Sequence, residues 1–221
     1  MLGTIVNILA VLGGSSLGLM LRRGIPDKIK HIVVQSIGLA TIGLGISMIK
    51  MKNPIGLILG LLIGAVTGEI FNLEAKFNNF AELIKERIHS EDPIVEGMLT
   101  AFITFCVGPL TIIGSIEDGL GNPSILFTKS VLDGFMAIAY SSSLGLGVAF
   151  STIPMLIYQG SLVLFASLIK GYLAEEILNS LTTTGGVLLL GLGIDLLRIK
   201  KIKVMNMLPA LLIVPLIVSL M

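Results

Sequence analysis

Charged residues are clustered along this chain, and between the clusters lie eight apolar runs, roughly 1–21, 31–49, 54–71, 98–116, 130–150, 154–171, 182–197 and 205–221. A helix of about 20 residues, rising 1.5 Å per residue, crosses a hydrocarbon core. Backbone facing lipid must satisfy its own hydrogen bonds, so the runs are predicted to be helices. They are too long and too continuously apolar for the alternating strands of an outer-membrane barrel. The expected architecture is therefore all-α, a polytopic transmembrane helix bundle of about eight spans forming a single domain over 1–221. Its weakest boundary is Ser151–Pro154, a short and only partly polar break between the fifth and sixth runs.

The long polar segment, 72–97, carries Leu73, Phe77, Phe80, Ile84 and Ile88 at helical spacing. This amphipathic connector either lies on the cytoplasmic membrane surface or packs on the protein's own loops. It divides three runs from five.

Composition agrees with the pattern. Apolar residues make up 54% of the chain and charged ones 13%, against about 25% in soluble domains. The protein is thus expected in a membrane, with the lipid bilayer as its first partner. No positive segment precedes the first run, and Arg22-Arg23 follow it, so it reads as a retained span with its amino end outside. With that topology eleven Lys and Arg fall on inner loops, against four outside: Lys50, Lys52, Lys129 and Lys170. The net charge is +1, which argues against nucleic acid. Cys106 is the single cysteine, and His31 and His89 sit apart near helix ends, so neither a disulfide nor a metal centre is indicated and no cofactor is expected.

A repeat crosses the connector. Gly38-Leu-Ala-Thr-Ile-Gly43-Leu-Gly45-Ile46 in run two aligns without gaps to Gly186-Val-Leu-Leu-Leu-Gly191-Leu-Gly193-Ile194 in run seven. Five spans apart, the copies must point in opposite directions, which suggests an inverted-topology pair of spans 1–3 and 6–8. Transporters built this way place their sites near the midplane, at helices interrupted by Gly or Pro. The candidate interruption is Gly108-Pro109 in run four, where Pro109 would free carbonyls near Phe105 and Cys106. An ordinary kink is the alternative.

Run three carries a glycine zipper, Gly56, Gly60, Gly64 and Gly68, a bare face that admits another helix closely. That helix belongs either to the same chain or to a second protomer, making a homo-oligomer.

Candidate chemistry centres on a motif present twice, Ser115-Ile-Glu117-Asp118-Gly119 and Ser130-Val-Leu-Asp133-Gly134, on either side of the turn Asn122-Pro123-Ser124. Ser and Asp three apart share a helix face, and the following Gly keeps that face open to a ligand or another backbone. A carboxylate within a span costs about 2.5–3.5 kcal/mol and usually faces water or the bundle interior. Asp133 is the leading candidate and Asp118 the second, with Ser130, Ser115, Glu117, Gly108 and Gln159 as further ion-binding candidates. The bland alternatives are an Asp133–Lys129 salt bridge and a solvated hairpin end at Asp118. Ser141, Ser142, Ser143 and Tyr158 either line an aqueous path or bond across helices.

No phosphate-binding loop, zinc-protease helix or nucleophile elbow occurs, so an enzyme is not expected. At Phe105–Pro109, Gly114–Gly119, Lys129–Gly134, Tyr158-Gln159-Gly160 and the opening Gly3-Thr4-Ile5-Val6-Asn7, the chain resembles the YdfK/YqgA-like family of bacterial inner-membrane proteins. That family is labelled a domain of unknown function, so the resemblance implies a membrane protein and no substrate. The expected function is a secondary transporter or ion channel for a small cation, Na⁺ or H⁺, near the hairpin of spans four and five. A non-transporting scaffold or sensor is the alternative.

Overall fold

The computed structural model describes residues 1–21, 26–87, 93–106, 109–171 and 174–221. Gly108, His89 and Ile88 lie outside the described residues. The helices are α1 (Leu2–Met20), α2 (Asp27–Met48), α3 (Pro54–Ile70), α4 (Leu73–Arg87), α5 (Pro93–Cys106) and α6 (Pro109–Leu120), then α7 (Ser124–Leu144), α8 (Gly147–Phe150), α9 (Thr152–Lys170), α10 (Glu175–Leu196), α11 (Val204–Met207) and α12 (Ala210–Leu220). No strand occurs among the described residues. Among them, Leu2–Met20, His31–Met48, Gly147–Lys170 and Glu175–Leu196 are long and apolar enough to cross a membrane. The pair Gly97–Cys106 and Leu110–Leu120, bent by 66°, makes a fifth if it counts as one span.

The first of these, α1, buries its small and polar residues. The inward face of α1 is Gly3, Thr4, Asn7, Val11, Gly14, Ser15 and Gly18, whereas Leu2, Ile5, Leu9, Leu12 and Leu17 point outward. Water would reverse that order. In lipid, tails solvate leucine as well as a protein core does, and close backbone packing decides which face turns inward.

One boundary differs from expectation. The break after the fifth run comes at Gly145, where φ is +73° and the chain leaves α7. At Ser151–Pro154 the chain stays helical: Ser151 and Thr152 donate their hydroxyls to Val148 and Ala149 carbonyls, and α8 runs on into α9 as a 24-residue span. Pro154 falls in the first turn of α9, where a missing N–H costs nothing.

The chain divides into two compact units. The first comprises Met1–Val34 and Phe77–Ala166, the second Gln35–Lys76 and Ser167–Met221. In the first, α1 and α7 run parallel. Gly3 meets Leu126, Gly14 meets Gly134 and Ala137, and Gly18 meets Ile138 and Ser141. A Cβ on Gly14 would lie 2.1 Å from the Gly134 carbonyl oxygen, so only glycine allows this approach.

In the second unit α3 lies antiparallel to α11 and α12. Asn53 starts α3 by accepting a hydrogen bond from the Gly56 N–H, with Pro54 next in line. Gly56, Gly60, Gly64 and Gly68 then meet Val218, Val214, Ala210 and Asn206 in turn. The zipper is filled by its own chain, the first of the two neighbours considered for that face. Asn206 locks the end of the seam. Its amide donates to Glu69 and accepts from the Glu74 N–H, while Lys203 pairs with Glu69. That hydrogen bond holds the Lys203 ammonium above the usual lysine range. The start of α4 is therefore packed on the protein's own 201–206 segment, through Lys201–Glu74 as well. The side chains of Phe77, Phe80, Ile84 and Ile88, which would form the rest of its apolar stripe, lie outside those described. Finally, α2 crosses α10 in antiparallel fashion, at Gly45 against Gly186 and Gly38 against Gly193.

A candidate ion site on the first helix

The hairpin between α6 and α7 is closed by a glycine cap. Gly121, at φ +103°, donates to the Asp118 carbonyl and Asn122 donates to the Glu117 carbonyl. These paired bonds satisfy the last carbonyls of α6. The cap fixes Asp118 in the final turn of α6, while Asp133 lies ten residues into α7, deeper than the sequence placed it.

Both carboxylates point at α1. Asp118 Oδ2 accepts from the Thr4 N–H at 3.2 Å and from the Thr4 hydroxyl at 3.5 Å, and its Oδ1 lies 3.2 Å from the Met1 amine. Asp133 Oδ2 accepts from Asn7 Nδ2 at 3.0 Å and pairs with the Lys129 ammonium. Asn7 Nδ2 also reaches Gln159 Oε1, at 3.4 Å. Thr4 and Asn7, three apart, share one face of α1 and so bring the two motif copies and Gln159 onto a single helix. The solvated hairpin end considered for Asp118 is thereby corrected: the residue is 5% exposed. The Lys129–Asp133 salt bridge, the other alternative, is present.

The hydroxyls behave differently from the acids. Ser130 spends its hydroxyl on the Leu126 carbonyl of its own helix, so it offers no donor to the cluster. Ser115 is buried, and its Oγ has no hydrogen-bond partner. Glu117 is buried as well, at 3% exposure. Gly134 opens the α7 face to the backbone of Ala10, the second of the two uses foreseen for the motif glycines. Thr111 donates to the freed Phe105 carbonyl at 2.8 Å, which occupies one of that oxygen's two lone pairs. Ser141, Ser142 and Ser143 bond within α7, and Tyr158 packs edge-on to Phe102.

Asn7, Thr4 and the role of α1 were missed by sequence reasoning. A lone Asn inside the first apolar run, three residues after a Thr, was the available signal. Asn7 is wholly buried, yet its Oδ1 has no partner, and neither has Gln159 Nε2. A buried polar atom without a partner costs about 1–3 kcal/mol. The cluster therefore offers one acceptor, one donor and a hydroxyl beside two carboxylates and two ammonium groups, Lys129 and the Met1 amine. Among the described residues no group of three or more His, Cys, Asp or Glu could hold a metal ion. The second unit holds a separate cavity of about 290 Å³, whose polar lining includes Lys50, Lys52, Asn179 and Thr183.

Residues 2–219 match the family described as "Protein of unknown function (DUF554)". The chain belongs to the DUF554 family. It is 37% identical to "Uncharacterized membrane protein YdfK" of Bacillus subtilis (strain 168), over 99% of this chain and 96% of that protein. It is 36% identical to "Uncharacterized protein YqgA" of Escherichia coli (strain K12), over 96% of this chain and 94% of that one. No solved structure matches the chain. Membership of DUF554, a membrane-protein relative and the apolar helices together identify a membrane protein.

Proposed function

We propose that this DUF554 protein is an inner-membrane transport protein, a secondary transporter or channel for a small cation, Na⁺ or H⁺, and that the cluster on α1 is its site. Asn7 carries the reading. Fully buried, it joins Asp133 to Gln159 while its own Oδ1 stays unpartnered. A helix pair needing adhesion alone could use apolar contact and avoid the cost of burying charge. Lys129 holds the place of a monovalent cation at Asp133, so an arriving cation competes with it there. The same ion pair favours a second reading, a scaffold or sensor in which the cluster only fastens α1 to α7.

Helix directions support eight spans. Parallel α1 and α7 require an odd number of crossings between them, and α2, α3 and the bent α5–α6 pair supply three. An α5–α6 loop returning to its own side would turn α7 antiparallel to α1. The inverted repeat has support inside the second unit. A Cβ on Gly45 or on Gly186 would lie 2.7 Å from the other's carbonyl oxygen; Gly186 opens one copy of the repeated run and Gly45 is the last glycine of the other. The amino end outside follows from the basic residues, as above.

Flux of Na⁺, K⁺, Li⁺ and H⁺ into liposomes holding the purified protein tests the proposal. Cation-selective flux above that of empty liposomes is expected. Flux equal to empty liposomes for all four would support the scaffold reading.

A further inference from the structure

Because α1 and α7 run parallel in close register, the chemistry at each height of their interface can be read off. Near the Met1 end come Thr4 and Asn7 on α1, with Lys129 and Asp133 on α7. Next are Val11 and Ala137, both wholly buried. Beyond them, toward Met20, lie Ser15 and Ser141. The order is polar, apolar, polar over the eight residues from Asn7 to Ser15, about 12 Å of helix rise.

The apolar layer is part of a buried cluster. Val11 and Ala137 cluster with Phe105, Cys106, Ala101, Val148 and Met155, each no more than 2% exposed. Past it, Ser15 is wholly buried and its Oγ has no hydrogen-bond partner. Small Ser15 fits the close-packed face of α1, and its unpartnered hydroxyl makes that face polar again past the apolar layer. Phe105 sits at the end of α5, beside the 66° joint with α6, where Thr111 rather than the next helical turn holds its carbonyl.

We infer that Val11, Phe105, Ala137 and Met155 form the permeability barrier of the pathway, separating the carboxylate cluster from a second polar station at Ser15 and Ser141. The inference rests on the transport reading and names the residues that would set its leak. Short apolar constrictions block ions and water by staying dry, and one added hydroxyl can wet them.

The test uses full-length protein carrying Cys106→Ala and Ser15→Cys, with a membrane-impermeant thiol reagent added to either face of oriented vesicles. With the barrier intact, reaction from the Met20 face is expected to be about tenfold faster than from the Met1 face. Val11→Thr with Ala137→Ser should raise the Met1-face rate to within about threefold of the other. An unchanged Met1-face rate in the folded double variant, or equal rates from both faces before it is made, overturns the barrier. If the double variant does not fold, Ala137→Ser alone adds a single oxygen, and an unchanged rate there overturns the barrier too. Labelling reads the barrier without flux and is repeated with Asp133→Asn. Absent flux with the labelling asymmetry intact would remove the transport reading alone.

Discussion

Adjacent glycines in α1 provide an internally controlled test of the packing that builds the site. A Cβ on Gly13 would meet nothing within 4 Å, whereas on Gly14 it would lie 2.1 Å from the Gly134 carbonyl oxygen and 3.2 Å from Ala137 Cβ. Ordinary C···O contacts are about 3.3–3.6 Å, so Gly14→Ala forces α1 and α7 apart by more than about 1 Å. Overpacking of this kind costs about 1–3 kcal/mol. Gly13→Ala removes a flexible residue from a helix interior and should contribute about 0.5–1 kcal/mol of stability. At about 2–4 °C per kcal/mol for a chain of this size, the two variants should separate by several degrees, with Gly14→Ala below wild type. Cys106, the single cysteine and 1% exposed, reports unfolding in mild detergent through its reaction with a thiol-reactive dye. Equal melting of the two variants, or Gly14→Ala melting higher, would refute the close α1–α7 seam.

Gly64→Leu should lower folded yield without altering oligomeric state, because the side chain would strike the backbone of Ala210 in the same chain; size-exclusion chromatography of the variant with unchanged yield but a lost oligomer would contradict this. In a background without Cys106, single cysteines introduced at Asn122 and Ser180 should label from outside, and those at Lys28 and Lys201 only after permeabilisation. Outside labelling of Lys201→Cys would contradict the eight-span topology.

The helices, and with them four or five candidate spans, were legible because lipid leaves a chain few options: an uncharged run of about 20 residues must be a helix. The Gly145 break was less so, since Ser151 and Thr152 look like a loop until their hydroxyls are seen donating to their own helix. Asp118 and Asp133 stood out because charge is rare and costly in apolar surroundings. Their partners did not, being 114 and 126 residues away on α1, a pairing that no local pattern encodes. The zipper's destination was hidden for the same reason. Glycine spacing announces a close neighbour without saying which helix supplies it.

Cation and proton flux through Asp133→Asn beside wild type, in the same liposomes and at matched folded yield, tests the carboxylate cluster most directly. Asparagine keeps the shape and can still meet Asn7, while the charge that balances Lys129 is lost. Flux abolished or altered in ion selectivity, from a variant that remains folded, is the expected result. A folded Asp133→Asn protein that conducts as wild type does would contradict the assignment. So would parallel unfolding of Asp133→Asn and Lys129→Met, which would reduce the pair to a structural bridge.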